Sequence, residues 1–253
     1  ILENLVGVNT AAFCAVSATA YNKHLDNAIV DFITLNQFIE NAIAEYGSQD
    51  LSQPKFVYKK GKEYRKVHSE GISGEKGITI RQFINSKIAE TKKILAEKGN
   101  DEAALYDAKI SLSITAQIAI LSVEMSEDIK SDIAAGYKDI CDRSNIENVE
   151  VAVRSSAVGE DSDDAAFAGA QDTYVYIYGT DNVIEHVQRD FASGFNVRSL
   201  EYRISQINKA IEKARVKAKK AGEQFDEAAT RARALRSFDF DNIAVSVVLH
   251  RMV

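Results

Sequence analysis

The amino-acid sequence predicts an α+β fold, in which a mostly antiparallel sheet forms the core and many helices pack around it. Two observations support this prediction. Short β-like runs are few and lie around 12–16, 151–154, 174–178 and 243–253. The long segments between them repeat apolar residues at the spacing of amphipathic helices. Few strands and many helices are typical of the α+β class.

The first 46 residues are predicted to form a strand and two helices. The strand covers 12–16, and Ser17 or Thr19 is suited to cap the helix that follows. Residues 26–46 carry an apolar stripe at helical spacing and are therefore expected to form a helix.

The middle of the chain is predicted to be largely helical after one small hairpin. Residues 56–67 follow a break with the chain's only proline and are expected to form a hairpin that turns at Lys60-Gly61. A loop at 71–77 leads to an amphipathic helix at 79–98, which Gly99 ends. Residues 101–140 then form a long helical region with one or two breaks, and its acidic start suits the helix dipole.

The last third is predicted to hold two helices before a final strand. Asp181 is expected to cap a helix at 182–194, and a second helix at 197–236 is interrupted at Gly222. This second helix carries a basic run that we interpret as a solvated face rather than as a partner surface. The run consists of Lys209, Lys213, Arg215, Lys217, Lys219 and Lys220.

Length, composition and charge exclude several protein classes. With 253 residues, the chain is long enough to bury the core of one large domain or two small ones. A net charge of −6 gives no general reason to expect nucleic-acid binding, and no apolar run reaches the length of a membrane span. No signal peptide is visible at the start. We therefore expect a cytoplasmic protein.

Cysteines and histidines do not form a metal-type spacing. Cys14 and Cys141 are too few for a disulfide framework and are expected to be small apolar fillers of the core. Four histidines are scattered singly, so ordinary surface or core roles are expected for each. They are His24, His68, His186 and His250.

The segment 151–179 is the candidate functional region. A loop of Ser, Ala, Gly and Asp joins two β-like runs, and Arg154 ends the first of them. Small residues let the backbone approach a ligand closely, and an arginine beside such a backbone offers a planar fork of donors for phosphate oxygens. The pattern indicates an anion site and no particular reaction. The alternative is a structural salt bridge from Arg154 to Glu160 or Asp161.

This segment resembles the N-terminal nucleotide-binding domain of the phosphoenolpyruvate synthase and pyruvate phosphate dikinase family. The family's VRSSA run is found at 153–157, its ED pair at 160–161 and its FAG-Q-(E/D)-T run at 167–173. The resemblance is firm over 151–206 and fair near both ends. It is absent between about 48 and 145, so 48–145 and 207–240 are expected to be insertions.

The resemblance implies an ATP-grasp-like fold that binds ATP and Mg²⁺ between two lobes and passes a phosphoryl group to a histidine on a separate swivelling domain. Arg154 matches the arginine that contacts the nucleotide phosphates and is the expected catalytic residue. Residues at the two ends of the loop are expected to bind the nucleotide with it. They are Ser155, Ser156, Gly169, Gln171, Asp172 and Thr173.

Acidic residues within the loop allow two interpretations. They are either Mg²⁺ or arginine partners, or a solvated acidic loop, and we favour the solvated loop. The residues concerned are Glu160, Asp161, Asp163 and Asp164.

Departures from the family pattern leave alternatives open. The phosphate-contacting Gly-Gly-Lys run is not found near the start, Ala170 replaces one glutamine, and the phosphohistidine motif is absent. We therefore expect a piece of a longer phosphotransferase, inactive by itself, whose parent also has the histidine and acceptor-binding domains. The alternatives are a degenerate, non-catalytic module of the same fold and a sibling dikinase that acts on another acceptor.

Overall fold

A computed structural model describes residues 12–46, 55–68, 77–98, 101–157, 172–237 and 243–252. In chain order its elements are β1 (Phe13–Val16), α1 (Ala18–Asn27), β2 (Ile29–Asp31), α2 (Phe32–Tyr46), α3 (Lys55–Val67), β3 (Gly77–Thr79), α4 (Ile80–Glu97), α5 (Glu102–Leu121), α6 (Glu127–Ser144), β4 (Val151–Ala157), β5 (Thr173–Ile177), α7 (Thr180–Ser193), α8 (Val197–Ala221), α9 (Glu227–Ser237) and β6 (Val245–Arg251). These elements confirm the predicted α+β class.

The chain divides into two compact units, each built from separate stretches of sequence. Unit 1 contains residues 1–28, 124–194 and 244–253, and unit 2 contains 29–123 and 195–243. The insertions expected at 48–145 and 207–240 remain predictions.

Unit 1 is organised by a four-stranded antiparallel sheet with strand order β1-β6-β4-β5. Alternate residues of β6 are fully buried, because α1, α6 and α7 pack on this sheet. The buried set is Val245, Val247 and Leu249. β4 lies between β6 and β5, so its residues have cross-strand neighbours on both sides. The predicted antiparallel sheet is thus confirmed, with its central strands fixed by backbone pairing.

Unit 2 is built around α5, which is buried on nearly every side from Ser113 to Leu121. α2, α3, α4 and α8 contact this helix, and β2 pairs with β3 as a short antiparallel ribbon. Helix α3 approaches α5 so closely that a side chain at Gly61 would overlap Leu121. α5 is also long and apolar enough to cross a membrane, by length and composition alone. Two thirds of its most apolar stretch is buried inside the protein, as in the core helix of a globular fold.

The hairpin predicted at 56–67 is wrong, because this segment forms α3. Its buried residues are Val57, Gly61 and Tyr64, whose spacing of four and three is that of a helix face. The Lys60-Gly61 pair looked like turn chemistry. The glycine instead provides room for the neighbouring helix.

Two predicted helix boundaries also need correction. The helix expected over 26–46 is interrupted, since Ile29–Asp31 pairs with Gly77–Thr79 as a strand. The helix expected at 182–194 begins earlier, at Thr180, so Gly179 occupies the N-cap position and Asp181 lies in the first turn. An acid in the first turn still complements the helix dipole.

The helices predicted to begin near 79 and 101 are confirmed as α4 and α5. The structure adds their caps: Thr79 caps α4 through a reciprocal capping box with Gln82, and Asp101 caps α5 by accepting a hydrogen bond from Ala104 N. Gly222 adopts the left-handed conformation (φ 68°) that ends α8, as expected for a break at this position. The basic run of α8 is exposed to solvent. Gly99 and most of the predicted loop at 71–77 lie outside the described residues.

Candidate functional site

The candidate site lies on the face of the unit 1 sheet that is opposite to the fully buried residues of β6. Val153 pairs with Leu249 on the helix-covered face, so the next residue, Arg154, belongs to the other face. Arg154 stands opposite Val248 on β6 and opposite Thr173 on β5. Directly opposite residues share one face of a sheet, so the register places Arg154 and Thr173 side by side.

Arg154 is exposed, whereas the three residues before it on β4 are buried. Among the described residues, no carboxylate lies within ion-pair distance of its guanidinium. The alternative partners considered from sequence, Glu160 and Asp161, lie outside the described residues. An exposed guanidinium anchored on a central strand is well suited to hold an anionic group by charge-assisted hydrogen bonds.

Ser155 and Ser156 have different surroundings. Ser155 pairs with Val247 and therefore lies on the helix-covered face, where its hydroxyl donates to the carbonyl oxygen of Asp172 at 3.3 Å. Ser156 is half-buried and pairs with Ser246, on the same face as Arg154. The structure thus brings Ser156 to the open face and uses the Ser155 hydroxyl to fix the start of β5.

Asp172 and Thr173 form that start of β5. Thr173 is exposed on the open face, and Asp172 is half-buried. Two further predicted binding residues, Gly169 and Gln171, lie outside the described residues, as do the acidic loop residues. The described part of the site therefore consists of Arg154 and Ser156 on β4 and of Asp172 and Thr173 next to them.

Behind this face lies a group of polar side chains that the sequence analysis did not single out. The Tyr174 hydroxyl donates to Asp172 Oδ2 at 3.3 Å, and its ring packs edge-on against His186 with 5.0 Å between the ring centres. Arg189 lies with its guanidinium carbon 6.0 Å from the centre of the Tyr174 ring and pairs with Glu185 at 2.6 Å. Helix α7 thereby contacts the first residues of β5 on the helix-covered face of the sheet.

Asp190 is fully buried on α7. Neither of its carboxylate oxygens has a hydrogen-bond partner in the described part of the chain. Burial, and the Asp172 carboxylate nearby, raise the pKa of Asp190 well above its usual value. A sequence signal did exist, because Asp190 follows Val183 and Val187 at helical spacing and so occupies the buried stripe of α7.

The Tyr174 hydroxyl remains protonated over the physiological pH range. Burial is the largest cause of its raised pKa, and the carboxylates of Asp172 and Asp190 raise that pKa further. Arg189 acts in the opposite direction. Tyr174 is therefore a hydrogen-bond donor to Asp172 rather than a base.

The histidines and cysteines of unit 1 lie in different surroundings. His24 is buried on α1 beside Gln188, with 3.3 Å between the two side-chain nitrogens, and His250 is exposed on β6. Cys14 and Cys141 are free thiols, each half-buried rather than fully buried. Burial raises the pKa of Cys14, which makes its thiol less reactive.

The described residues contain no group of three His, Cys, Asp or Glu side chains suited to hold a metal ion. Among the described residues, one cleft of about 450 Å³ in unit 1 and one of about 700 Å³ in unit 2 are lined by neither Arg154 nor Thr173. An open sheet face needs a covering segment or lobe to enclose a ligand.

Comparison with known proteins decides the family. The sequence pattern of the pyruvate phosphate dikinase AMP/ATP-binding domain matches residues 1–253, which is the whole chain. The chain belongs to this family. The resemblance predicted from 151–206 is therefore confirmed.

The curated relatives that match this chain are much longer proteins. A probable phosphoenolpyruvate synthase of Methanocaldococcus jannaschii is 39% identical over 133 residues, which are 50% of this chain and 11% of that protein. A probable phosphoenolpyruvate synthase of Methanothermobacter thermautotrophicus is 38% identical over 153 residues, or 53% of this chain and 22% of that protein. The phosphoenolpyruvate synthase of Pyrococcus furiosus is 44% identical over 87 residues, or 34% and 11% respectively. The matched part of the chain thus covers about a tenth to a fifth of each relative.

Proposed function

We propose that this chain provides the Arg154 side of an ATP site in a phosphoenolpyruvate synthase-like or pyruvate phosphate dikinase-like phosphotransferase. The observation that carries the proposal is the placement of an exposed arginine beside Thr173 on the open face of the sheet. Membership of an AMP/ATP-binding family supports a nucleotide as the ligand. The names of the curated relatives support the phosphotransferase class.

Arg154 would hold phosphate oxygens of the nucleotide. Its five donors match the geometry of a phosphate, and a rigid central strand fixes where the guanidinium begins. The Thr173 hydroxyl adds a neutral donor next to it. Together they neutralise charge and position the phosphates, which are the main demands of phosphoryl transfer.

In the whole protein, we expect the phosphoryl group to pass from ATP to a histidine on another domain and then to the final acceptor. Mg²⁺ would neutralise phosphate charge in such a reaction, but the described residues offer no carboxylate cluster for it. We expect the whole protein to act in the cytoplasm.

Calorimetric titration with ATP tests the nucleotide site. Arg154→Ala removes the charged donor and is expected to weaken ATP binding by roughly 10- to 100-fold, since hydrogen bonds to charged groups contribute about 1.5–3 kcal/mol. Lys138→Ala is the matched control. It removes one exposed positive charge from α6, which contacts the sheet from the covered side, and should leave ATP affinity unchanged. Equal affinities of the wild type and Arg154→Ala would remove Arg154 from the site.

A degenerate module that binds nucleotide without transferring phosphate is the second candidate. It is favoured by Ala170, which stands where the family has a glutamine. Incubation of the whole protein with γ-labelled and β-labelled ATP separates the two candidates. Label on a histidine would exclude the degenerate module, whereas ATP binding without any labelling would favour it.

A further inference from the structure

The first residues of β5 are held from two sides. Ser155 on β4 donates its hydroxyl to the Asp172 carbonyl oxygen, and Tyr174 donates its hydroxyl to the Asp172 carboxylate, each at 3.3 Å. Asp172 directly precedes Thr173, the residue opposite Arg154. The two hydrogen bonds therefore fix where the backbone and hydroxyl of Thr173 lie relative to Arg154.

Tyr174 is in turn held by α7. The edge-on contact with His186 orients the tyrosine ring, and Arg189 lies beside the ring while paired with Glu185. The phenol has few alternative orientations in such surroundings. Its hydroxyl is thus kept near Asp172 by a helix that lies on the opposite side of the sheet from Arg154.

The charge state of Asp190 affects this arrangement. Its carboxyl group is fully buried and has no hydrogen-bond partner among the described residues, so a negative charge there would be uncompensated. Ionisable side chains near α7 come from the helix itself and from elements packed on it. They are Glu185, His186 and Arg189 of α7, Asp172 and Tyr174 of β5, Tyr21 and His24 of α1, Tyr137 of α6, and Arg251 of β6, which the register places on the helix-covered face of the sheet.

We propose that Tyr174 and Asp190 are positioning residues for the nucleotide site, which keep Thr173 opposite Arg154 as long as Asp190 is uncharged. The proposal rests on the proposed function in one respect, namely that Arg154 and Thr173 bind the nucleotide. When Asp190 ionises, its charge acts on the Asp172 carboxylate, and like charges repel strongly in a buried setting. Asp172 is half-buried and can turn toward solvent, which breaks its contact with Tyr174 and loosens the start of β5.

Amide hydrogen exchange of the full chain tests the contact without any nucleotide. Tyr174→Phe keeps the ring but removes the donor, and should speed exchange of the amides at 172–174 by about 3- to 10-fold. Tyr178→Phe is the matched control, because Tyr178 is an exposed tyrosine just after the same strand. Unchanged exchange at 172–174 in Tyr174→Phe would overturn the proposal.

The pH dependence of the same amides tests the role of Asp190. Exchange is corrected for its intrinsic pH dependence and measured between pH 5 and pH 9. In the wild type, protection at 172–174 should fall as pH rises, whereas Asp190→Asn, which has the same shape and no charge, should show no such fall. An identical fall in both proteins would overturn the role of Asp190. If Asp190→Asn does not fold, Tyr174→Phe decides, since without the contact it should show no fall either.

Measurements of ATP affinity test whether the contact of Tyr174 with Asp172 affects the nucleotide site. Tyr174→Phe should weaken ATP binding by about 3- to 10-fold, and Tyr178→Phe should not change it. Wild-type affinity in Tyr174→Phe, despite faster exchange at 172–174, would overturn the positioning role. If the wild type itself binds no ATP, the proposed function fails, while the exchange results still judge the Tyr174 contact and its dependence on Asp190.

Discussion

Helix α5 of unit 2 and helix α7 of unit 1 both bury polar side chains, but Asp190 of α7 differs from the buried polar side chains of α5. On α5, the Gln117 amide donates to the hydroxyl and carbonyl of Ser113 at 2.9 and 3.2 Å, and the Ser122 hydroxyl donates to the Ala119 carbonyl at 2.7 Å. On α7, Asp190 is fully buried and has no such partner among the described residues.

The difference separates two reasons for burying a polar group. Polar groups that are bonded within their own helix cost little and leave the packing of unit 2 undisturbed. A buried acid without a partner lowers stability whenever it is charged, so it is explained better by function than by folding. Asp190 acts electrostatically on Asp172 and Tyr174, the two neighbours of Thr173. Residues that break a folding rule tend to occur at functional sites, and this placement agrees with that tendency.

The close contact of α3 with α5 should give the largest effect. Gly61→Ala places a methyl group against the side chain and backbone of Leu121. Overpacking of this kind costs about 3 kcal/mol, and the gain in helix propensity offsets about 1 kcal/mol, so urea denaturation should show a net loss of about 2 kcal/mol. Gly136→Ala on α6 is the control, because its methyl group meets only the Cys14 side chain. An equal or larger loss in Gly136→Ala would contradict this account of unit 2.

The buried acid of α7 should make stability depend on pH. The pKa of Asp190 is raised in the folded state, so the folded protein binds more protons than the unfolded chain above about pH 4. This contribution to stability is complete at lower pH and is lost as pH rises through the folded pKa. Urea unfolding from pH 5 to pH 9 should therefore show a stability advantage of Asp190→Asn over the wild type that grows with pH. A constant difference would show that Asp190 carries the same charge in the folded and unfolded protein over this range, so that folding does not raise its pKa.

Removing one hydrogen bond between Gln117 and Ser113 of α5 should lower stability only slightly. Ser113→Ala removes one hydrogen bond of Gln117 and leaves the bond to the Ser113 carbonyl, so the loss should be about 1 kcal/mol at every pH. Ser205→Ala, on the exposed side of α8, removes a comparable local hydrogen bond and should change stability by less than about 0.5 kcal/mol. A loss above about 2 kcal/mol in Ser113→Ala would mean that α5 also depends on a buried polar network.

Arg154→Ala should have the smallest effect on the fold. The side chain is exposed and has no ion-pair partner among the described residues, so the free energy of unfolding should change by less than about 0.5 kcal/mol. Thermal denaturation without ligand measures this directly. A large loss of stability would favour the structural salt bridge over the nucleotide contact.

Much of the fold was predictable because local signals agreed with packing. The acceptor at Asp101, the capping box at Thr79 and the glycine at 222 each act within one turn, so their effects can be read from sequence. The hairpin prediction failed because Gly61 serves a contact with Leu121, sixty residues away, which no local rule detects.

The candidate site was predictable in part. Arg154, Ser156, Asp172 and Thr173 were found through the family motif, and the sheet register then explained why Arg154 and Thr173 lie together. Tyr174 was identified only as a strand residue, because its hydroxyl partner and its supporting helix come from tertiary packing. Asp190 was overlooked, although an acid in the apolar stripe of α7 was visible in the sequence.

ATP titration followed by amide hydrogen exchange tests the central claim, that the open face beside Arg154 receives the nucleotide. We expect ATP to protect the amides of β4 and of the first residues of β5, and we expect Arg154→Ala to lose this protection while keeping the exchange pattern of α5. Protection confined to unit 2, or protection of β4 that persists in Arg154→Ala, would contradict the account.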